Sequence, residues 1–88
     1  MLLTVGTAIT PLTKRNDGRG VIQVTTAASG KGVDIQVSID GVKWGTAESI
    51  ASTGSEVTTV KELVLTPYLK YSETGSGGAA VVHFDDTV

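Results

Sequence analysis

Apolar and polar residues alternate strictly through "VDIQVSID", residues 33–40, and a lone tryptophan follows in "GVKWG". The four aliphatic residues of this run fall on one side of an extended chain, and the polar residues fall on the other. This period of two predicts a half-buried β-strand. Asp40 and Gly41 tolerate the positive φ of a hairpin turn, so we expect residues 42–44 to begin a returning strand.

The rest of the chain follows the same pattern, and no window shows the apolar spacing of an amphipathic helix. Runs rich in glycine, serine, asparagine and aspartate separate the β-type segments. We therefore expect one domain over residues 1–88 with an all-β fold, a compact antiparallel β-sandwich or jelly-roll-like barrel of about seven strands. Besides the strand at residues 33–40, the predicted strands are residues 2–9, 20–26, 45–50, 57–65, 68–73 and 79–84.

The expected core is small. A chain of 88 residues buries only about 60–65% of its unfolded surface. With four aromatic residues and no cysteine to form disulfides, such a domain gains from contact with neighbouring subunits. The expected core residues are Val21 or Ile22, Val24, Ile35, Val37, Ile39, Trp44, Leu63, Leu65, Leu69, Tyr71, Val82 and Phe84.

Charge and hydropathy limit the partners. Seven basic residues oppose nine acidic ones, and a formal net charge of -2 gives no electrostatic reason to approach nucleic acid or an anionic membrane surface. The apolar start "MLLTVGTAIT" lacks a preceding basic region and is too short to cross a bilayer. We expect a chain made in a cytoplasm, with neither nucleic acid nor a membrane as its partner.

His83 with Asp85 and Asp86 is the nearest approach to a chemical cluster, because such groups can ligate a divalent ion or exchange a proton. Alternation with Val82 and Phe84, however, places His83 on the solvent side of the last strand. No Gly-x-Ser-x-Gly elbow is present, and without cysteine there is no Cys/His zinc set. We expect no catalytic residue, no metal and no cofactor.

Other acidic and glycine-rich segments are interpreted as ordinary structure. The runs "DGRG" and "TGSGGAA" do not end in the Gly-Lys-Ser/Thr of a phosphate-binding loop and open no helix. Asp34, Asp40 and Glu48 lack the spacing of a calcium-binding loop.

Three aromatic residues allow an alternative function. Trp44, Tyr68 and Tyr71 would form a platform for a sugar ring if they shared an exposed face. The competing interpretation of Trp44 is a ring that fills the core. The alternative is thus a carbohydrate-binding or receptor-binding β-sandwich module.

Two pairs of segments resemble small phage-encoded virion proteins. "VGTAITPLT" followed by "GRGVIQV" is similar to their opening strand, turn and Arg-Gly-apolar strand. "VSIDGVKWGTAESI" with "PYLKYSETGSGGAAVVHF" resembles their later half, with a Ser-x-Asp-Gly-x-x-Trp hairpin and a Val-rich final strand. The residues Ser38, Asp40, Gly41 and Trp44 also resemble discoidin-like sandwiches, but this chain is much shorter and lacks the cysteines of those domains.

The phage resemblance implies a structural protein of the virion, a capsid decoration, cement or minor spike subunit that acts by contact and catalyses no reaction. Its implied partners are the major capsid protein or other virion proteins, and further copies of itself in a homo-oligomer, for which a trimer is one candidate. Many weak contacts on a symmetric shell would give high avidity. The contacts would come from the apolar N-terminal segment and the basic loop, through Leu2, Leu3, Val5, Lys14, Arg15 and Arg19.

Overall fold

The computed structural model describes residues 1–11 and 19–85, and within these residues the chain is all-β, without a helix. Six strands follow one another along the chain. They are β1 (Arg19–Thr26), β2 (Gly32–Ser38), β3 (Gly45–Ile50), β4 (Val57–Val64), β5 (Tyr68–Thr74) and β6 (Val81–Asp85).

The strands form two antiparallel sheets of three strands each. One, here called the β1 sheet, has the order β4-β1-β6, and the other, the β2 sheet, has the order β3-β2-β5. Alternation decides which side chains are buried. In β1, Ile22, Val24 and Thr26 are buried, whereas the residues between them are exposed or half-buried. The period-two prediction for this strand is confirmed.

Both sheets contribute to one hydrophobic core. The largest fully buried side chain is Phe84 of β6, and Ile22 of β1 and Ile35 of β2 are also fully buried. Most of the expected core residues lie in this cluster, and Val33, Leu3 and Ala80 join it as additions. The full set is Leu3, Ile22, Val24, Val33, Ile35, Leu63, Leu65, Leu69, Tyr71, Ala80, Val82 and Phe84, with Ile9, Val37 and Ile50 packed against it.

The predicted first strand, residues 2–9, does not form. Its strand-type pairing is limited to two isolated bridges, Leu2 to His83 of β6 and Ile9 to Leu69 of β5. Between them, Gly6 adopts a φ of 74°, which bends the segment away from extended geometry. The segment therefore passes from the edge of the β1 sheet to the edge of the β2 sheet, and the buried side chain of Leu3 anchors it.

The hairpin between β2 and β3 is longer than the sequence predicted. The last paired residues are Val37 and Gly45, so residues 42–44 belong to the connecting loop. Gly41 has the expected positive φ, 77°. Ile39 is wrong as a core residue, since β2 ends at Ser38 and the Ile39 side chain is 81% exposed. Trp44 is only half-buried and is likewise not part of the core.

Candidate interaction surface

The outer face of the β1 sheet carries exposed aliphatic side chains. Register places Val60, Gln23 and His83 side by side on this face, and the bridge to His83 adds Leu2 beyond them. Neighbouring rows hold more valines. We call this surface the valine face; its exposed aliphatic residues are Leu2 (64% exposed), Val60 (59%), Val64 (67%) and Val81 (44%).

The opposite outer face, on the β2 sheet, is polar. Ser49, Asp34 and Ser72 lie in one row across its three strands, and Thr46, Gln36 and Lys70 lie in the next. In the described part of the chain, no strand residue on this face is a large exposed aliphatic side chain. The strands of the two outer faces therefore differ in chemistry. Large aliphatic side chains are exposed on the strands of the valine face, whereas beside the β2 sheet they are exposed in the β2–β3 loop, at Ile39 and Val42.

Polar groups lie among the valines of this face. The hydroxyls of Thr25 and Thr58 are 2.9 Å apart across β1 and β4, and Arg19 forms an exposed ion pair with Glu62. Near the centre lies an open depression of ≈ 360 Å³. It is lined by Met1, Val21, Gln23, Val60, His83, Phe84 and Asp85.

Of the four predicted partner-contact residues that the structure describes, three are exposed and one is buried. Leu2 and Val5 are exposed, as a contact requires, but Leu3 is only 5% exposed and belongs to the core. Leu3 is therefore wrong as a contact residue, because its side chain is already covered by this chain. Arg19 is exposed beside the valine face, where it pairs with Glu62. Lys14 and Arg15 lie outside the described residues.

Sequence reasoning missed the valines that now define the surface. A signal for them was present, because alternation that buries Leu63, Val82 and Phe84 turns the adjoining Val64 and Val81 outward. The sequence prediction named only the inward-facing core positions of these strands and therefore did not include the outward valines.

The three aromatic residues do not form a platform. Tyr71 lies opposite Ile35 and is buried in the core, so it is wrong as a ligand-platform residue. Burial, with a smaller contribution from the charge of Glu73, raises the pKa of Tyr71 above its ordinary value of 10.0. Trp44 is half-buried, and the Lys70 ammonium lies 4.3 Å from its ring centroid, over one face of the ring.

The loop beside Trp44 is held by its own side chains. The buried Ser38 hydroxyl accepts a hydrogen bond from the Gly41 amide at 2.9 Å and donates one to the Lys43 carbonyl at 2.6 Å. The Asp40 carboxylate accepts the amides of Lys43 at 3.0 Å and Val42 at 2.8 Å. These hydrogen bonds hold the pKa of Asp40 below its ordinary value of 3.8. The role of Asp40 is therefore to stabilise the turn.

The His83 cluster considered in the sequence is not assembled within the described residues. His83 lies on the solvent side of β6, as alternation predicted, and Asp86 lies outside the described residues. Asp34 accepts a hydrogen bond from Ser49 at 2.6 Å. Among residues 1–11 and 19–85, no group of three or more histidine or acidic side chains is arranged to hold a metal ion.

Comparison of the chain with protein-family models, with curated proteins and with solved structures gave no match. Through the described ranges, no helix has the length and apolar composition needed to cross a bilayer.

Proposed function

We propose that this chain is a structural protein of a bacteriophage virion, a capsid decoration, cement or minor spike subunit that acts by protein–protein contact and catalyses no reaction. On this proposal the two sheets form a β-sandwich, and many copies are held on the particle. Its partners are the major capsid protein or another virion protein, together with further copies of the chain.

The observation that carries the proposal is the difference between the two outer faces. A face with four exposed aliphatic side chains gains free energy when a partner covers it, at about 25 cal/mol per Å² of apolar surface buried. A polar face without such side chains stays in water. A domain with one aliphatic face and one polar face suits a subunit that covers the surface of a larger particle.

Small size supports the same proposal. The chain has 88 residues and the described core holds one phenylalanine and one tyrosine, so binding to a neighbour would add to a limited stability of its own. The alternative, a carbohydrate-binding module, is weakened because Tyr71 is buried and Lys70 covers one face of Trp44.

The test uses virions of the phage whose genome carries this sequence. Quantitative mass spectrometry of purified particles counts copies of the native chain and of two lysine variants. Val81→Lys places a charge on the valine face, whereas Thr46→Lys places the same charge on the polar face. We expect multiple copies of the native chain per particle, far fewer of Val81→Lys, and unchanged numbers of Thr46→Lys. Absence of the native chain from purified particles would refute the proposal.

A further inference from the structure

The two sides of the fold are closed unequally. On one side the N-terminal segment covers the edges of β5 and β6: the Leu3 amide donates to the Val82 carbonyl at 2.9 Å, and the Ile9 amide to the Leu69 carbonyl at 2.8 Å. On the other side lie β3 and β4. Within residues 1–11 and 19–85, no strand pairs with the outer edge of either.

These two open edges differ in regularity. The pairing of β3 with β2 shifts register between Ile35 and Gln36, which leaves an extra residue, Ala47, in β3. Such a bulge twists an edge away from a second strand. In contrast, β4 pairs with β1 without interruption over all eight of its residues, from Val57 to Val64. Of the two edges, β4 is the one suited to receive another strand.

The backbone directions along β4 follow from those of β6. The Phe84 amide donates to the Met1 carbonyl at 2.8 Å, and the Met1 ammonium donates to the Phe84 carbonyl at 2.9 Å, so the backbone groups of Phe84 point away from β1. Ile22, opposite Phe84, must therefore point its groups at Lys61 of β4. It follows that Lys61 points its backbone groups inward, whereas Val60 points its N–H and C=O outward.

We propose that a second copy of this chain adds to this edge, β4 against β4 across a two-fold axis at Val60, so that the two β1 sheets become one sheet of six strands. The outward groups of Val60 then bond to their own copies, and Glu62 pairs with Thr58 of the other chain. Each outer-face residue of β4 then lies beside an outer-face residue of the other copy, so the valine face continues across the axis.

The charges of β4 select this register. An axis at Lys61 or at Glu62 sets each charge against its own copy, and an axis at Thr59 sets Glu62 against Glu56. Directly opposed like charges destabilise a strand pair. An axis at Thr58 pairs only residues 57–59, and one at Leu63 pairs only residues 62–64. The Val60 axis pairs residues 57–63 and sets Lys61 against Thr59.

Lys61 lies on the core side of this edge strand, opposite Ile22, yet it is exposed. An inward-facing lysine is a common device against uncontrolled pairing of edges. Here it opposes the register centred on itself and leaves the Val60 register open. About six backbone hydrogen bonds join the strands, so the contact is small beside the roughly 1,200–2,000 Å² of a stable interface. We therefore expect dimers at high concentration.

The first test removes the outward donor. Val60→Pro deletes an N–H that points away from β1, a position where an edge strand tolerates proline. Sedimentation equilibrium, from micromolar to near-millimolar protein, should show native dimers and a Val60→Pro monomer that keeps its far-UV circular dichroism. A native chain that stays monomeric throughout, that forms only trimers, or a folded Val60→Pro that dimerises as the native chain does, overturns the inference.

The second test measures the register and does not require the proline variant to fold. The native chain contains no cysteine, so any disulfide that forms must join the introduced cysteines. In the Val60 register, Thr59 and Lys61 of different copies form a pair without backbone hydrogen bonds, at about 4.5 Å between Cα atoms, which a disulfide can bridge. Mixed Thr59→Cys and Lys61→Cys chains should therefore link to each other on oxidation.

The matched control replaces Thr59→Cys by Thr58→Cys, whose side chain points to the other face. This mixture should link far less. Equal linking in both mixtures contradicts the Val60 axis. The inference rests on the proposed function for its biological setting, but the two fail separately: a strictly monomeric chain found on virions refutes the edge pairing alone, whereas a dimer absent from virions refutes the virion role alone.

Discussion

Leu3 should be a principal anchor of the N-terminal segment. Its side chain is 5% exposed in a core shared by both sheets, whereas its neighbour Leu2 is 64% exposed. Truncation of a buried leucine to alanine typically costs about 2–5 kcal/mol of unfolding free energy. Typical stabilities per residue give an 88-residue domain only about 4–13 kcal/mol in total. Leu3→Ala should therefore remove a large fraction of the stability.

Urea unfolding of dilute protein, followed by circular dichroism, measures the loss. A loss of about 3 kcal/mol corresponds to a fall in Tm of about 12–24 °C for a domain of this size. Leu2→Ala, the matched control, should change the unfolding free energy by less than about 0.5 kcal/mol. Equal and small effects of the two variants would refute the docking of the N-terminal segment across the sheets.

Three further predictions concern the turn and the core. Asp40→Asn should destabilise the chain at neutral pH. The pKa of Asp40 in the folded chain lies below 3.8, so the stability that the carboxylate contributes is present above pH 3.8 and is lost as the pH falls further. In acid, the urea midpoints of the variant and the native chain should therefore converge. Gly41→Ala should lower the unfolding free energy by about 1–2 kcal/mol, because the φ of Gly41 is 77° and the added Cβ would lie 3.3 Å from the Tyr68 ring. The control Gly45→Ala has open space at its Cβ and should be nearly neutral in the same urea assay. Because the pKa of Tyr71 is raised in the folded chain, the stability of the native chain should fall as the pH rises above 10.0. Thermal melts should show that Tyr71→Phe loses less stability than the native chain at alkaline pH. An identical loss would count against a buried Tyr71 hydroxyl.

Alternation predicted the all-β class and most of the core, because a side chain in a strand has only two directions to point. It did not predict where strands end. The pattern through residues 33–40 continues past Ser38, but the Ser38 and Asp40 hydrogen bonds turn the chain and leave Ile39 in solvent. Local hydrogen bonding thus overrode hydrophobic periodicity at that point.

Tertiary placement explains the remaining differences. The first nine residues contain β-type residues, yet they cross between two sheets, so their pairing depends on where the edges of β5 and β6 lie. Tyr71 and Tyr68 are both aromatic, but their strand positions put them on opposite faces of β5. Alternation turns single valines outward, but the strand order and register decide that Val60, Val81 and Leu2 lie on one face of one sheet.

Thiol protection on purified virions tests the proposed contact through the valine face most directly. Single-cysteine chains Val81→Cys and Thr46→Cys are each labelled with maleimide, first free and then on the particle, and the rates are compared. The valine-face thiol should react at least tenfold more slowly on the particle, while the polar-face thiol keeps its rate. Protection of Thr46→Cys with Val81→Cys still reactive would show that the chain binds through the opposite face and would contradict the account.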